Sequence, residues 1–157
     1  MPVNTAKVVG RRKLDYASLE EVLADTDRLS SGPVPGLGNW SAGQIFRHLA
    51  LAYNGSIDGL KVTFPWHLCI MAKFFKNKLI NGPMPAGLDP PPEGKIALAP
   101  GVPSTQEGVA DLRAATARLN SEPHRAPHPL FGELSKEQWN QIHLRHAGLH
   151  MSFLVPG

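Results

Sequence analysis

In this chain Ser41 stands three residues ahead of Gln44, Ser104 ahead of Glu107 and Ser135 ahead of Gln138, and each of these serines opens a stretch of helically spaced apolar residues. In such a capping box each side chain satisfies a backbone N–H that the first helical turn leaves unpaired, so the pair marks a helix start with a physical cause. Behind Ser41, the residues Ile45, Phe46, Leu49, Ala52, Tyr53 and Ser56 fall on one side of a helix predicted to run to about Gly59. Behind Ser104, a narrower stripe of Thr105, Val109, Leu112, Thr116 and Leu119 closes at Ser121-Glu122-Pro123. Behind Ser135 the period continues to about Leu154. An earlier helix is predicted from Leu19, Val22, Leu23, Thr26 and Leu29, and stops in the Gly- and Pro-rich residues 30–38.

One more helix is predicted from Pro65 to about Ile80, with Leu68, Met71, Ala72, Phe75 and Leu79 inward and Lys73, Lys76 and Lys78 outside. Residues 81–103 hold seven prolines and no period of either kind, a connection far longer than the few residues that usually join bundle helices. They are predicted to be irregular and to lie over one end of the helices, as a lid, a dimer contact or a stiff overhand link. No strand pattern and no internal repeat occurs, so the predicted fold class is all-α. Residues 1–13 read as an extended basic lead-in, and with no shift of composition residues 1–157 are read as a single domain.

Hydrophobic residues make up 42% of the chain and charged ones 18%, which suits a packed core and not a disordered chain. The longest apolar runs are about half of what spans a bilayer, and Arg11-Arg12 is followed by Lys13-Leu14-Asp15-Tyr16 and not by an apolar export segment. No membrane partner is therefore expected, and the cytoplasm is the expected compartment. Cys69 is the single cysteine, so neither an intrachain disulfide nor a cysteine-based zinc site can form, and its neighbours Leu68, Ile70 and Met71 mark it as a buried small hydrophobe. The net charge of +3 comes largely from Lys7, Arg11, Arg12, Lys13 and the three lysines near residue 75. Without interleaved aromatics or a groove-reading motif these read as a solvated basic face, and no nucleic-acid partner is expected.

The chemistry concentrates in histidines. Helical phase puts His146 and His150 inside the stripe of Trp139, Ile142, Leu149 and Phe153, with His143 at its edge and Leu144, Arg145 and Ser152 pointing elsewhere. The i, i+4 spacing stacks His146 and His150 on one face, where two imidazoles can share an ion. His48 sits on the flank of its own apolar stripe and can face inward. Spacing alone leaves two readings open, a metal site or a polar core cluster, because each buried imidazole needs partners for two ring nitrogens. Ala147 stands where a zinc protease of the His-x-x-x-His type carries its glutamate, which excludes peptide hydrolysis by that mechanism. His124 and His128 lie in a proline-rich turn, expected to be exposed and not to provide ligands.

The stretch from Leu37-Gly38-Asn39-Trp40-Ser41 to Arg47-His48-Leu49-Ala50, with Ser56-Ile57-Asp58-Gly59, resembles a branch of the DinB/YfiT-like superfamily known only as a domain of unknown function. Pro129-Leu130-Phe131-Gly132, Trp139 and the spaced His143, His146 and His150 resemble its closing signature, and Arg11-Arg12-Lys13-Leu14 its lead-in. The resemblance implies an up-down-down-up four-helix bundle with a long proline-rich crossover loop. It implies a triad of His48, His146 and His150 binding zinc, nickel or iron, and chemistry in which a low-molecular-weight thiol can take part.

The expected function is metal-dependent chemistry on a small molecule, such as thiol transfer. The alternative is a non-enzymatic bundle that binds a ligand or a partner through a polar histidine pocket. No general base is evident, since Asp58 lies about 15 Å from His48 along its helix at about 1.5 Å per residue. His143 is the candidate for orienting a ligand or transferring a proton. The resemblance and the apolar segment around Phe64, Trp66 and Met71 also suggest a homodimer.

Overall fold

The computed structural model describes residues 1–157 and is all-helical, with a 3-10 turn at Thr5–Lys7 and seven α-helices. These are α1 (Leu19–Ser30), α2 (Ala42–Asp58), α3 (Trp66–Phe74), α4 (Lys76–Asn81), α5 (Pro92–Ala97), α6 (Thr105–Ser121) and α7 (Lys136–Met151). The three serine caps start α2, α6 and α7 as reciprocal capping boxes, and Ser18 caps α1 by accepting the Glu21 N–H. α2 stops at Gly59, whose φ of 92° lies in the left-handed region that a side chain disfavours, and the Gly59 N–H closes onto the Gly55 carbonyl.

The core lies between α1, α2, α6 and α7, around Val22, Leu29, Phe46, Leu49, Tyr53, Leu112, Leu119 and Met151, each almost wholly buried. α2 and α6 touch backbone to backbone: a Cβ on Gly108 would stand 2.5 Å from the Gly43 carbonyl oxygen, and one on Gly43 would stand 2.5 Å from that of Ser104. Further along, Arg47 pairs with Asp111 at 2.6 Å, and Arg118 with Asp58 at 2.6 Å. The start of α2 therefore meets the start of α6 and the ends meet likewise, so the two run in the same direction. α7 opposes α2, with His146 beside His48 and the earlier His143 beside the later Ser56.

The segment predicted as one core helix over 65–80 is instead two short helices broken at Phe75, and most of its apolar side chains face out. Met71, Phe75 and Leu79 are 55%, 55% and 53% exposed, and Leu68 is only partly covered. Only Ala72 and Ile80 are buried. The four long helices already enclose the core, and α3 is apolar on nearly every side, so its period carries no information about which side is covered. Cys69 is half-buried, not buried. Residues 81–103 are irregular apart from α5, for which Pro92 supplies a preset first turn. The last helix ends at Met151, three residues short of the prediction, because Phe153 and Val155 turn back to pair with Leu37 and Pro35. Arg12 is not part of a solvated basic face: it forks onto Asp25 at 2.8 and 3.0 Å and reaches the Met151 carbonyl. No helix is long and apolar enough to cross a membrane.

Replacing Phe46, which has no exposed surface, by Ala is expected to cost about 3–5 kcal/mol. Replacing Phe74, which is 84% exposed, by Ser should change stability by less than about 0.5 kcal/mol. Urea unfolding of the two variants measures both; a large loss at Phe74 would contradict the open face of α3.

Candidate metal centre

His48, His146 and His150 come together as the sequence predicts: one ring nitrogen from each lies within 4.8 Å of the others. His48 is buried on α2, and its Nδ1 lies 2.8 Å from the carbonyl oxygen of Leu98, just past α5. A carbonyl only accepts, so this bond fixes the proton on Nδ1 and leaves the Nε2 lone pair facing the cluster. That lone pair lies 3.0 Å from His146 Nε2, which donates its N–H to it. The His150 ring is 4.5 Å from that of His48 and 4.6 Å from that of His146, and Trp40 stacks on it at 5.4 Å and 23°.

Burial keeps these imidazoles neutral. It lowers His48 below the ordinary value, lowers His146 further with help from its histidine neighbours, and brings His150 down to about 3. Three uncharged nitrogen donors are the state that a divalent ion requires. Asp58 is held by Arg118 on the far end of α2, so it stands apart from this chemistry.

The triad forms part of the wall of a cavity of about 750 Å³. Trp139, Ile142, His143, Leu149 and Phe153 continue the wall, Ile45 and Ala52 of α2 face them, and Met84, Leu88, Lys95 and Leu98 of the crossover close over it. The stripe that phase assigns to the core on α7 is thus largely the cavity wall. The core side of α7 is Leu144, Ala147 and Met151, and Leu144 and Ser152, expected to point elsewhere, are 8% and 5% exposed. α7 is covered on two sides, and a two-sided helix has no single apolar face to find.

His143 is 1% exposed and packs between Tyr53 and Trp139 at 4.6 and 5.5 Å. The Ser56 hydroxyl gives its one proton to the Tyr53 carbonyl at 2.7 Å, so across the 3.0 Å contact it is His143 Nε2–H that donates to Ser56. His143 Nδ1 is thereby left as an acceptor, and no protein donor pairs with it. His124 is exposed as expected, but His128 is not: it is held between Phe131 and Trp139 at 4.8 and 4.9 Å and lines the cavity. Its Nδ1 accepts the N–H groups of Leu130 and Phe131, which the turn at Pro129 brings round to it. Sequence reasoning also passed over Trp40, although an aromatic directly before a helix cap, five residues ahead of a buried Ile45 inside the helix, is the hydrophobic-staple arrangement. The Leu98 carbonyl carries no side-chain signal that could have found it.

The family model described as Protein of unknown function (DUF1569) matches residues 8–157. No curated protein and no solved structure matches the chain.

Burial puts a sign on the acid response. In the folded chain His128 titrates at about 4 and His143 and His150 at about 3, each pushed down first by burial, while the unfolded chain takes up those protons near the ordinary value of about 6.5. Below that value the unfolded state binds more protons, so stability falls with pH down to about 3–4. At about pH 5 each such histidine should cost about 2 kcal/mol, at about 1.4 kcal/mol for each pH unit below the ordinary value. Urea midpoints of chelator-treated protein at about pH 7 and about pH 5 measure this, and a flat profile would contradict buried, neutral imidazoles.

Proposed function

We propose that this chain, which belongs to the DUF1569 family of proteins of unknown function, holds one divalent ion on His48, His146 and His150 and uses it for chemistry on a small molecule. The observation that carries the reading is the bond from His48 Nδ1 to the Leu98 carbonyl. Ligand histidines are commonly oriented in this way, with the second nitrogen donating to an oxygen so that the first presents its lone pair to the ion. The donor set fits: the three nitrogens lie within 4.8 Å of one another, with the His48 and His146 Nε2 atoms 3.0 Å apart, and once His146 carries its proton on Nδ1 they need only small shifts to the about 3.4 Å that tetrahedral angles and bonds of about 2.0–2.1 Å impose. Imidazole donors suit zinc, nickel and iron, and three of them leave a coordination position open toward the cavity.

The up-down-down-up DinB-like bundle belongs to the same proposal. It is supported by the shared direction of α2 and α6, the opposed direction of α7, and the crossover that joins the parallel pair. A bound divalent ion would supply Lewis acidity at the head of the cavity. The residues of the chain do the rest: Trp40 and Leu98 hold the imidazoles in place, the crossover covers one side of the cavity, and His143 Nδ1 offers an acceptor for a proton or a hydrogen bond. Transfer to a thiol, implied by the resemblance to DinB-like proteins, is one form this chemistry takes.

Binding without turnover is the rival reading. It is favoured by the one carboxylate on the cavity wall, Asp89, being tied to Lys95 at 2.5 Å, so that no carboxylate base is free. The two readings share the ion and differ in whether a reaction follows.

Purified, tag-free protein is expected to bind one equivalent of zinc, nickel or iron and to melt at a higher temperature with the ion than with a chelator, since only the folded state binds it. His146→Ala or His150→Ala should weaken zinc binding by at least about 100-fold, the loss expected when one of three ligands goes, with the circular dichroism spectrum unchanged. Melting that ignores both the ion and the chelator, with no ion retained in elemental analysis, would overturn the proposal.

A further inference from the structure

We infer that the cavity takes an elongated, mainly apolar molecule that carries a single anionic donor at its triad end, and that it discriminates against multiply charged thiols. The inference rests on the metal reading for the head of the molecule and on the cavity alone for its body.

The shape comes from α7. Its cavity-facing residues run from Trp139 to His150, about 16 Å along the axis at about 1.5 Å per residue. The volume of about 750 Å³ is that of a site for a drug-sized molecule. Along this length the walls are Trp40, Ile45, Trp139, Ile142, Leu149 and Phe153, which offer a ligand dispersion contacts and a place to leave water, but no charge.

No charged side chain on the lining is left without a partner. Lys95 and Asp89 are the sole formally charged side chains on the lining, and they neutralise each other at 2.5 Å. A carboxylate or ammonium on the body of a ligand would therefore lose its hydration without gaining a partner. At the triad the reverse holds. Three neutral imidazoles bring no negative charge, so a divalent ion there keeps its full positive charge and no protein carboxylate offsets it; an anionic donor in the open position does. At the other end, His128 has Nδ1 committed to two backbone N–H groups. Its remaining nitrogen is therefore an N–H, which suits a neutral acceptor such as a carbonyl or ether oxygen.

The test separates head from body. Zinc-loaded protein, its stoichiometry measured beforehand, is titrated in a calorimeter with naphthalenethiol, mercaptoethanol and glutathione. Naphthalenethiol is expected to bind at least about 100-fold tighter than mercaptoethanol, which shares only its head, because a buried aromatic body is worth about that much. Glutathione, with its two carboxylates and ammonium, is expected to bind no tighter than mercaptoethanol. Ile142→Ala, and Leu149→Ala as a second variant, should weaken naphthalenethiol about tenfold and leave mercaptoethanol unchanged.

Metal-free protein is tested in parallel with naphthol, by its fluorescence. Saturable naphthol binding that Ile142→Ala weakens supports the apolar body even if zinc fails to bind, so loss of the metal reading and loss of this inference are told apart. Glutathione binding as tightly as naphthalenethiol, or absence of naphthol binding to a folded protein, overturns it.

Discussion

α2 and α6 meet at Gly43 and Gly108 with no side chain between their backbones, and this contact sets the course of the rest of the chain. Two helices that lie parallel cannot be joined by a tight turn, because the chain must first travel back the length of α2. Residues 59–104 make that journey. They have no place in the core, which α1, α2, α6 and α7 fill, so they pass outside it, leave α3 with an open apolar face, and bring α5 across the side where α2 and α7 part. The cavity is what remains between that crossover and the two helices. The Leu98 carbonyl reaches His48 because the chain must pass there on its way to Ser104.

The polar groups around the cavity follow a single rule: in a setting with little water, each nitrogen takes its role from the partner that cannot change its own. Carbonyls and backbone N–H groups are fixed as acceptor and donor, and they propagate. Leu98 fixes His48, and His48 fixes His146. The Tyr53 carbonyl fixes Ser56, and Ser56 fixes His143. Backbone N–H groups fix His128 in the opposite sense. These four histidines of similar intrinsic chemistry thus lie along one cavity without sharing one role, and the differences trace back to the backbone around them.

This explains what was legible in the sequence. The helix starts were, because a capping box is local chemistry between residues three apart. The α2 stripe of Ile45, Phe46, Leu49, Ala52, Tyr53 and Ser56 was, because all of these are buried, although the covered arc of that helix is wider and takes in Ala50 and Ile57 as well. The convergence of His48, His146 and His150 could be expected, because two of them share a face and the third flanks a stripe that must point inward. What could not be read depends on contacts distant in sequence. Arg12 looked like part of a solvated cluster until Asp25 and Tyr16 enclosed it. His128 looked exposed because its turn is rich in proline, yet Trp139 covers it. α7 showed one stripe where it has two buried sides, since a cavity wall and a core wall are made of the same residue types.

The cavity costs the fold something, and the cost lies beside it. The Tyr53 hydroxyl is wholly buried with no partner, and burial alone holds its proton well above the ordinary phenol range. The guanidinium of Arg125, in the same neighbourhood, leaves its Nε unpaired. An unsatisfied buried polar group costs about 1–3 kcal/mol, and several buried neutral histidines add their own cost in acid. Phe could replace Tyr53 in the core without that loss, so packing does not account for the hydroxyl. It stands next to the ring of His143, whose Nε2 is held by Ser56 and whose Nδ1 has no protein partner. Local rules are broken most densely along this flank of the cavity while the capping boxes and the α2 stripe obey them, and such breaches tend to gather where a fold serves something other than its own stability.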